Sequence, residues 1–314
     1  MPVTWSDAVD DVLASDLTAV LSYATPAGGA VVTPVSPIGL RDREAGTVGF
    51  TTSVGFGRKL ERIRRDPRVA LSYHAREHGF SESAMFVHVQ GTATARRLDL
   101  EALQREVGSR SERFMGPPRT GRFWDRWLRE YYQDRLVVDV TVTRIVTWPD
   151  LGCRGGPEVT GDPLPVDARA PQPPPAKGAG PRLDSLRAAA RLRALDHVLL
   201  AWIEADGYPA ALPVAVGSGG PDGIRITTSG AALPPGGRRA GLVGHSYRAA
   251  LVGLAVRQHT GWLTSDRPDA GVYAPHTARG FRAPSNKTLL LLANGLLAKK
   301  GMRDARRSGA ADLV

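Results

Sequence analysis

Residues 47–73 read TVGFTTSVGFGRKLERIRRDPRVALSY, and this stretch orders the rest of the chain. Val48 and Phe50 alternate with smaller residues, as in a strand with one buried face, and lead into the hydroxyl series Thr51, Thr52 and Ser53. Gly55 and Gly57 permit a tight turn. Leu60 and Ile63 then mark one face of a short helix whose other faces carry Arg58, Lys59, Arg62 and Arg65. Asp66-Pro67 stops that helix, because proline disfavours helical geometry in the residue before it. Val69 and Leu71 open the next strand.

The chemical content of the stretch is an anion site. A helix that starts after a glycine turn offers free backbone N–H groups and the positive end of its dipole. The hydroxyls of Thr51, Thr52 and Ser53 can donate to phosphate oxygens. Arg58 and Lys59 stand in the first turn, where cations oppose the dipole, so their placement makes sense with an anion between them. The bland alternative is a solvated basic helix that only joins two strands.

The segment FTTSVGFGRKLERIRRDPRVALSY resembles the phosphate-binding signature of the pyridoxamine 5'-phosphate oxidase-like superfamily, the FMN-binding split β-barrels. That pattern is a strand ending in Thr and Ser, a Gly/Ser-Arg-Lys turn, an apolar-spaced helix, an Asp-Pro stop and a further apolar strand. The resemblance implies a mostly β, α+β fold of antiparallel Greek-key type with peripheral helices. It also implies an FMN phosphate held by Arg58 and Lys59, with Thr51, Thr52 and Ser53 beside them. Thr33-Pro34-Val35-Ser36 would line the ring, with Gln90 and Gly91 on a following strand. The Arg- and Ala-rich composition, as in high-GC actinobacterial genomes, keeps the deazaflavin coenzyme F-420 close behind FMN. Some split barrels bind haem, which keeps His245, His259 and His276 in view as ligands.

At 314 residues the chain has room for two medium domains. A net charge of +10, carried mostly by arginine and spread along the sequence, suits small anionic partners. No helix-turn-helix, zinc-finger or RNA-binding aromatic signature accompanies it, which argues against nucleic acid as the partner. No apolar run approaches membrane-spanning length, and MPVTWSDAVDD lacks the apolar core of a signal peptide. The single cysteine, Cys153, excludes an internal disulfide and a multi-Cys metal site. These features predict a cytoplasmic protein with no resident metal.

Taken in order, residues 5–16 predict a helix with Ala8, Val9, Val12 and Leu13 on one face. Five or six short strands follow, divided by Gly, Pro and Asp clusters. Leu98–Val107 and RFWDRWLREYYQDR predict two helices, the second with Phe123, Trp127 and Tyr131 at helical spacing and with Trp124 and Trp127 as minor cofactor candidates. LVVDVTVTRIVTW closes a first domain over residues 1–150. Residues 151–181 are Pro/Gly-rich and predict an extended linker.

Residues 182–314 then repeat the layout. RALDHVLLAWIEADGYPAALPVAV parallels SDLTAVLSYATPAGGAVVTPVSPI, and IRITTSG parallels GFTTSVG, so Thr227, Thr228 and Ser229 answer Thr51, Thr52 and Ser53. The basic helix is missing from the repeat. The chain is therefore expected to hold two tandem split β-barrels, the second degenerate, forming an intrachain pseudo-dimer or a homodimer. A C-terminal helix is expected from a Ser285 cap to a Gly301 stop.

Other constellations carry less. His74-Ala75-Arg76-Glu77-His78 spells the H-x-x-E-H of some zinc peptidases, but it runs off a strand into Gly79, so the required helix is absent. Walker, G-x-G-x-x-G and G-x-S-x-G patterns are missing. The expectation is a flavin-type oxidoreductase acting on a small molecule. The alternatives are a deazaflavin-dependent reductase and a haem- or flavin-binding protein without turnover.

Overall fold

A helix caps the first barrel because its N-terminus is well closed and one face is apolar. Ser6 accepts from Val9 N at the start of α1 (Asp7–Ser15), which buries Val9, Val12 and Leu13. The computed structural model describes residues 1–129, 131 and 135–307. After α1 come β1 (Ala19–Ala24), β2 (Ala30–Val35), β3 (Arg41–Asp42) and β4 (Thr47–Ser53). A 3-10 turn (Val54–Phe56) joins β4 to α2 (Gly57–Arg65), which buries Leu60 and Ile63 and ends at Asp66. Then follow β5 (Arg68–Tyr73), β6 (Phe86–Arg97), α3 (Leu100–Leu103), α4 (Ser109–Met115), α5 (Arg122–Trp127) and β7 (Arg135–Trp148). The helix expected at 98–107 begins at Leu100 and continues through a π-type turn to Met115. The expected run of α5 through residues 130 and 132–134 lies outside the described residues.

Residues 151–181 are tied to both halves. Residues Glu158–Gly161 form β8 on the edge of β7. The Gln172 amide donates to Gly28 O, while its carbonyl accepts from Arg239 N. Beyond it lie α6 (Ser185–Arg193), β9 (His197–Ile203), β10 (Pro209–Pro213), β11 (Ala215–Gly220) and β12 (Gly223–Thr227). The chain continues through β13 (Gly236–Ser246), β14 (Ala255–Arg267), β15 (Ala270–Arg282) and α7 (Lys287–Arg307). Asn286, rather than Ser285, caps α7, accepting from the backbone N–H groups of Thr288 and Leu289. The helix also passes through Gly301 instead of stopping there. None of the described helices is long and apolar enough to cross a membrane.

The two sheets have one topology. The first runs β2-β1-β5-β6-β7-β4-β3 and the second β10-β9-β13-β14-β15-β12-β11, with neighbours antiparallel throughout. Each has a β-bulge at a glycine, Gly91 against Val142 and Gly261 against Pro275. A side chain at either glycine would run into the neighbouring strand's backbone, at Thr141 O or Ala274 O. Counting the registers outward from the two bulges makes Thr51 equivalent to Thr227, Pro34 to Pro213, Arg68 to Arg239 and Trp148 to Phe281. The hydroxyl alignment expected from sequence therefore holds in the strands.

The halves share a core. Val20, Ala30, Val32, Phe86 and Trp148 pack in one cluster with Leu200, Trp202, Leu212 and Leu242. Large apolar side chains buried this way contribute about 1.5–3 kcal/mol each, so the seam is an interior rather than a wet contact. The fold is two tandem split β-barrels closed on each other.

Candidate functional site

The hydroxyl run lies at the end of β4, opposite the start of β7. Thr51 pairs with Val137, Thr52 with Leu136 and Ser53 with Arg135. Strand alternation turns Thr52 inward, and its Oγ1 is buried without a hydrogen-bond partner. The Thr51 hydroxyl accepts from Arg135 Nη1 at 3.3 Å, and Ser53 Oγ accepts from Gly55 N at 3.0 Å. Arg58 projects to the surface. Lys59 does not: its ammonium stands 4.8 Å from the Phe56 ring centre and 5.8 Å from that of Phe50. Among the described residues no acceptor reaches it. Burial, with Arg135 as a like-charged neighbour, lowers Lys59 to about 7. An ammonium held this way costs stability until an anion arrives.

Helix α7 covers this turn. A Cβ on Gly55 would stand 2.9 Å from the Gly301 Cα, so two backbones meet where only glycines fit. That contact explains why α7 does not stop at Gly301. Met302 packs on Val54, Leu60 and Leu136. Farther up the helix, Trp127 Nε1 donates to Leu292 O, and Lys299 Nζ lies 4.2 Å from the Trp127 ring centre. Trp127 thus anchors α7. The C-terminal helix itself was expected from sequence, but that it covers this turn, and that Arg135 reaches Thr51, had no local signal, since both follow only from the fold.

The residues expected at the ring divide. Pro34 is half-buried on β2, Val35 is part of the first barrel's core, and the Ser36 hydroxyl donates to Leu17 O. Gln90 and Gly91 belong instead to the seam and the bulge. The Gln90 amide donates to Pro209 O at 2.7 Å, and its carbonyl accepts from Arg144, which also pairs with Asp206. Both ends of the Gln90 amide thus help join the halves.

In the second half the equivalent run is plugged. Gly230, just after Ser229, packs so closely on Cys153 O that a side chain could not fit. Cys153 is buried there, and burial raises its thiol above the ordinary range. Residues 230–235 form no helix, so no counterpart of Arg58 and Lys59 exists.

The histidines form a different structure. His74 and His245 are equivalent by register, and their Nε2 atoms meet at 2.7 Å, so the pseudo-twofold axis runs between them. His74 Nδ1 donates to Ser72 O, so its Nε2 accepts and His245 donates. The remaining nitrogen, His245 Nδ1, is buried without a partner. A second proton there would face nothing polar; burial holds His74 well below its usual value and His245 down to about 3. His197 lies beside the pair and contacts Glu77 at 3.1 Å, and that hydrogen bond lowers Glu77 to about 2. Among the described residues no group of three donors is arranged to hold a metal. His276 is elsewhere, against Ala179 O.

A scan against protein-family models finds no match, and a search of curated proteins finds none. Among solved structures the chain is similar to a conserved hypothetical protein of Mycobacterium tuberculosis, 23% identical with TM-score 0.36, over 47% of this chain and 87% of that one. It is similar to a pyridoxamine 5'-phosphate oxidase-related, FMN-binding protein of Nostoc punctiforme, 11% identical with TM-score 0.28, over 47% and 88%. It is also similar to an F420 reductase, 18% identical with TM-score 0.31, over 43% and 94%. These are likenesses of fold.

Proposed function

We propose that the β4–α2 turn binds the phosphate of a flavin-type cofactor, FMN first and the deazaflavin F-420 second, and that the protein is an oxidoreductase acting on a small molecule. One observation carries the reading: the acceptor-less Lys59 ammonium stands in the first turn of α2, with the unpartnered Thr52 hydroxyl at the end of the strand before it. The donor set fits a phosphate. Lys59 and Arg58 supply charge, Thr52 supplies a hydroxyl, Arg135 holds Thr51 on the other face of β4, and Ser53 shapes the turn. The half-buried edge of β2 at Pro34 is where a ring would lie.

Such a cofactor, when bound, supplies hydride transfer. The chain's own contribution is to neutralise the phosphate, exclude water from it beneath α7, and orient the group. The covering helix favours a second reading, retention of a flavin or haem without turnover.

The test is to titrate the protein with FMN, F-420 and haemin in separate cells, followed by absorbance. The expected result is uptake of one flavin-type cofactor that Arg58→Ala/Lys59→Ala abolishes, and its reduction and reoxidation by a small-molecule pair. Uptake without reoxidation supports retention. A haem Soret band independent of Lys59, or no uptake by folded protein, removes the proposal.

A further inference from the structure

Two clefts open along the seam, and the registers make them a pair. The first, about 700 Å³, is lined by Arg65, Asp66, Arg68, Arg169 and the β9–β10 turn at Asp206 and Gly207. The second, about 350 Å³, is lined by Arg62, Arg182, Arg239, His276, Thr260 and the β1–β2 turn at Thr25–Ala30. Arg68 and Arg239 are equivalent positions. Each leaves β5 or β13 and packs across the seam on the glycine turn of the opposite half, Arg68 on Gly207 and Arg239 on Gly29.

Their charges are treated differently. Asp66 holds Arg68 with both carboxylate oxygens at 2.9 Å, and the Asp206 carbonyl accepts from Nη1 at 2.9 Å. Asp206 itself pairs with Arg144. Within the first cleft Arg68 is thereby neutralised, while Arg65 and Arg169 line it without a carboxylate partner among the described residues. Around Arg239 no carboxylate lines the wall among the described residues. Its Nη1 reaches only the Gln172 amide oxygen, at 3.4 Å, and its guanidinium lies 5.8 Å from the Trp262 ring centre. Arg182 has the Gly178 carbonyl at 3.3 Å, and Arg62 lies against the Tyr23 hydroxyl. Three arginines from α2, the linker and β13 therefore line one cleft, with no counter-charge among the described residues. Their planar forks suit phosphate and carboxylate oxygens.

We propose that the Arg62–Arg182–Arg239 cleft binds a small polyanion, a molecule bearing two or more phosphate or carboxylate groups. The site takes Arg62, about one helical turn beyond Lys59 in α2, together with groups from the linker and β13, and does not rest on the cofactor reading.

The test is calorimetric titration of the full-length protein at low salt with inorganic pyrophosphate and, separately, citrate. The two probes distinguish phosphate from carboxylate ligands. Binding of at least one is expected to survive in Arg58→Ala/Lys59→Ala and to weaken at least tenfold in Arg182→Gln/Arg239→Gln. Arg182 is exposed, so Arg182→Gln alone keeps the fold and should weaken binding several-fold. Binding lost with Lys59 but indifferent to Arg182, equal loss in both variants, or binding of neither probe overturns the proposal.

Discussion

The turn after Ser53 and the turn after Ser229 begin from the same three residues at the same strand position and end differently. After Ser53 the chain makes a 3-10 turn and a basic helix, and an ammonium with no acceptor among the described residues results. After Ser229 it runs through ALPPG, and the backbone of Cys153 fills the space. The hydroxyls alone therefore do not make an anion site. What matters is whether a helix start follows and whether another segment occupies the ground. The segments that cover the two turns are themselves related, since each follows an equivalent strand: residues 149–155 follow β7 and α7 follows β15.

The comparison can be broken most sharply through Lys59. Arg58→Ala/Lys59→Ala should weaken cofactor phosphate binding about a hundredfold or more, some 2.7 kcal/mol, while Thr228→Ala leaves it unchanged in the same titration. Because Lys59 sits near 7 without ligand and an anion raises it, affinity should fall as pH rises above 7, by up to tenfold per unit. Lys59→Arg, charged throughout, should flatten that profile.

The axis between the halves gives the next effect. The folded-state values of His74 and His245 lie below the unfolded value of about 6.5, so the unfolded chain binds more protons as the pH falls. Stability is full above about pH 6.5 and is lost as pH falls toward 3, by up to about 1.4 kcal/mol per unit for each histidine. Denaturant melts should show this acid slope, and His74→Leu/His245→Leu should make it shallower; His88, lowered to about 4, leaves a residual slope.

Smaller effects separate cover from plug. Gly230→Ala should destabilise the second half by about 1–3 kcal/mol through overpacking on Cys153. Gly55→Ala should loosen α7 by a similar or smaller amount, seen as faster hydrogen exchange confined to residues 287–307. If both changes spread through the whole protein, the two covering segments are equally structural and the contrast between them disappears.

The barrel was legible because its signals are local. Alternation at Val48 and Phe50, the Asp66-Pro67 stop and the spacing of Leu60 and Ile63 each act within a turn or a strand. The repeat was legible for the same reason, and the bulges at Gly91 and Gly261 place Thr227 where the hydroxyl pattern put it. The Gln90 bond across the seam was not legible because its strand position says nothing of what the opposite half presents; Pro209 O lies more than a hundred residues away in sequence.

The sequence by itself determined the strand–turn–helix of residues 47–73, the duplicated layout and the loss of the second basic helix, since these follow from short-range periodicity and turn chemistry. Only the tertiary structure decided that Lys59 is half-buried with no acceptor among the described residues, that α7 passes Gly301 to cover the turn, that His74 meets His245 on an axis, and that Arg239 keeps a charge which Arg68 has neutralised. Each of these depends on groups far apart in the chain being brought within a few ångströms, where burial and missing partners, not residue identity, set the chemistry.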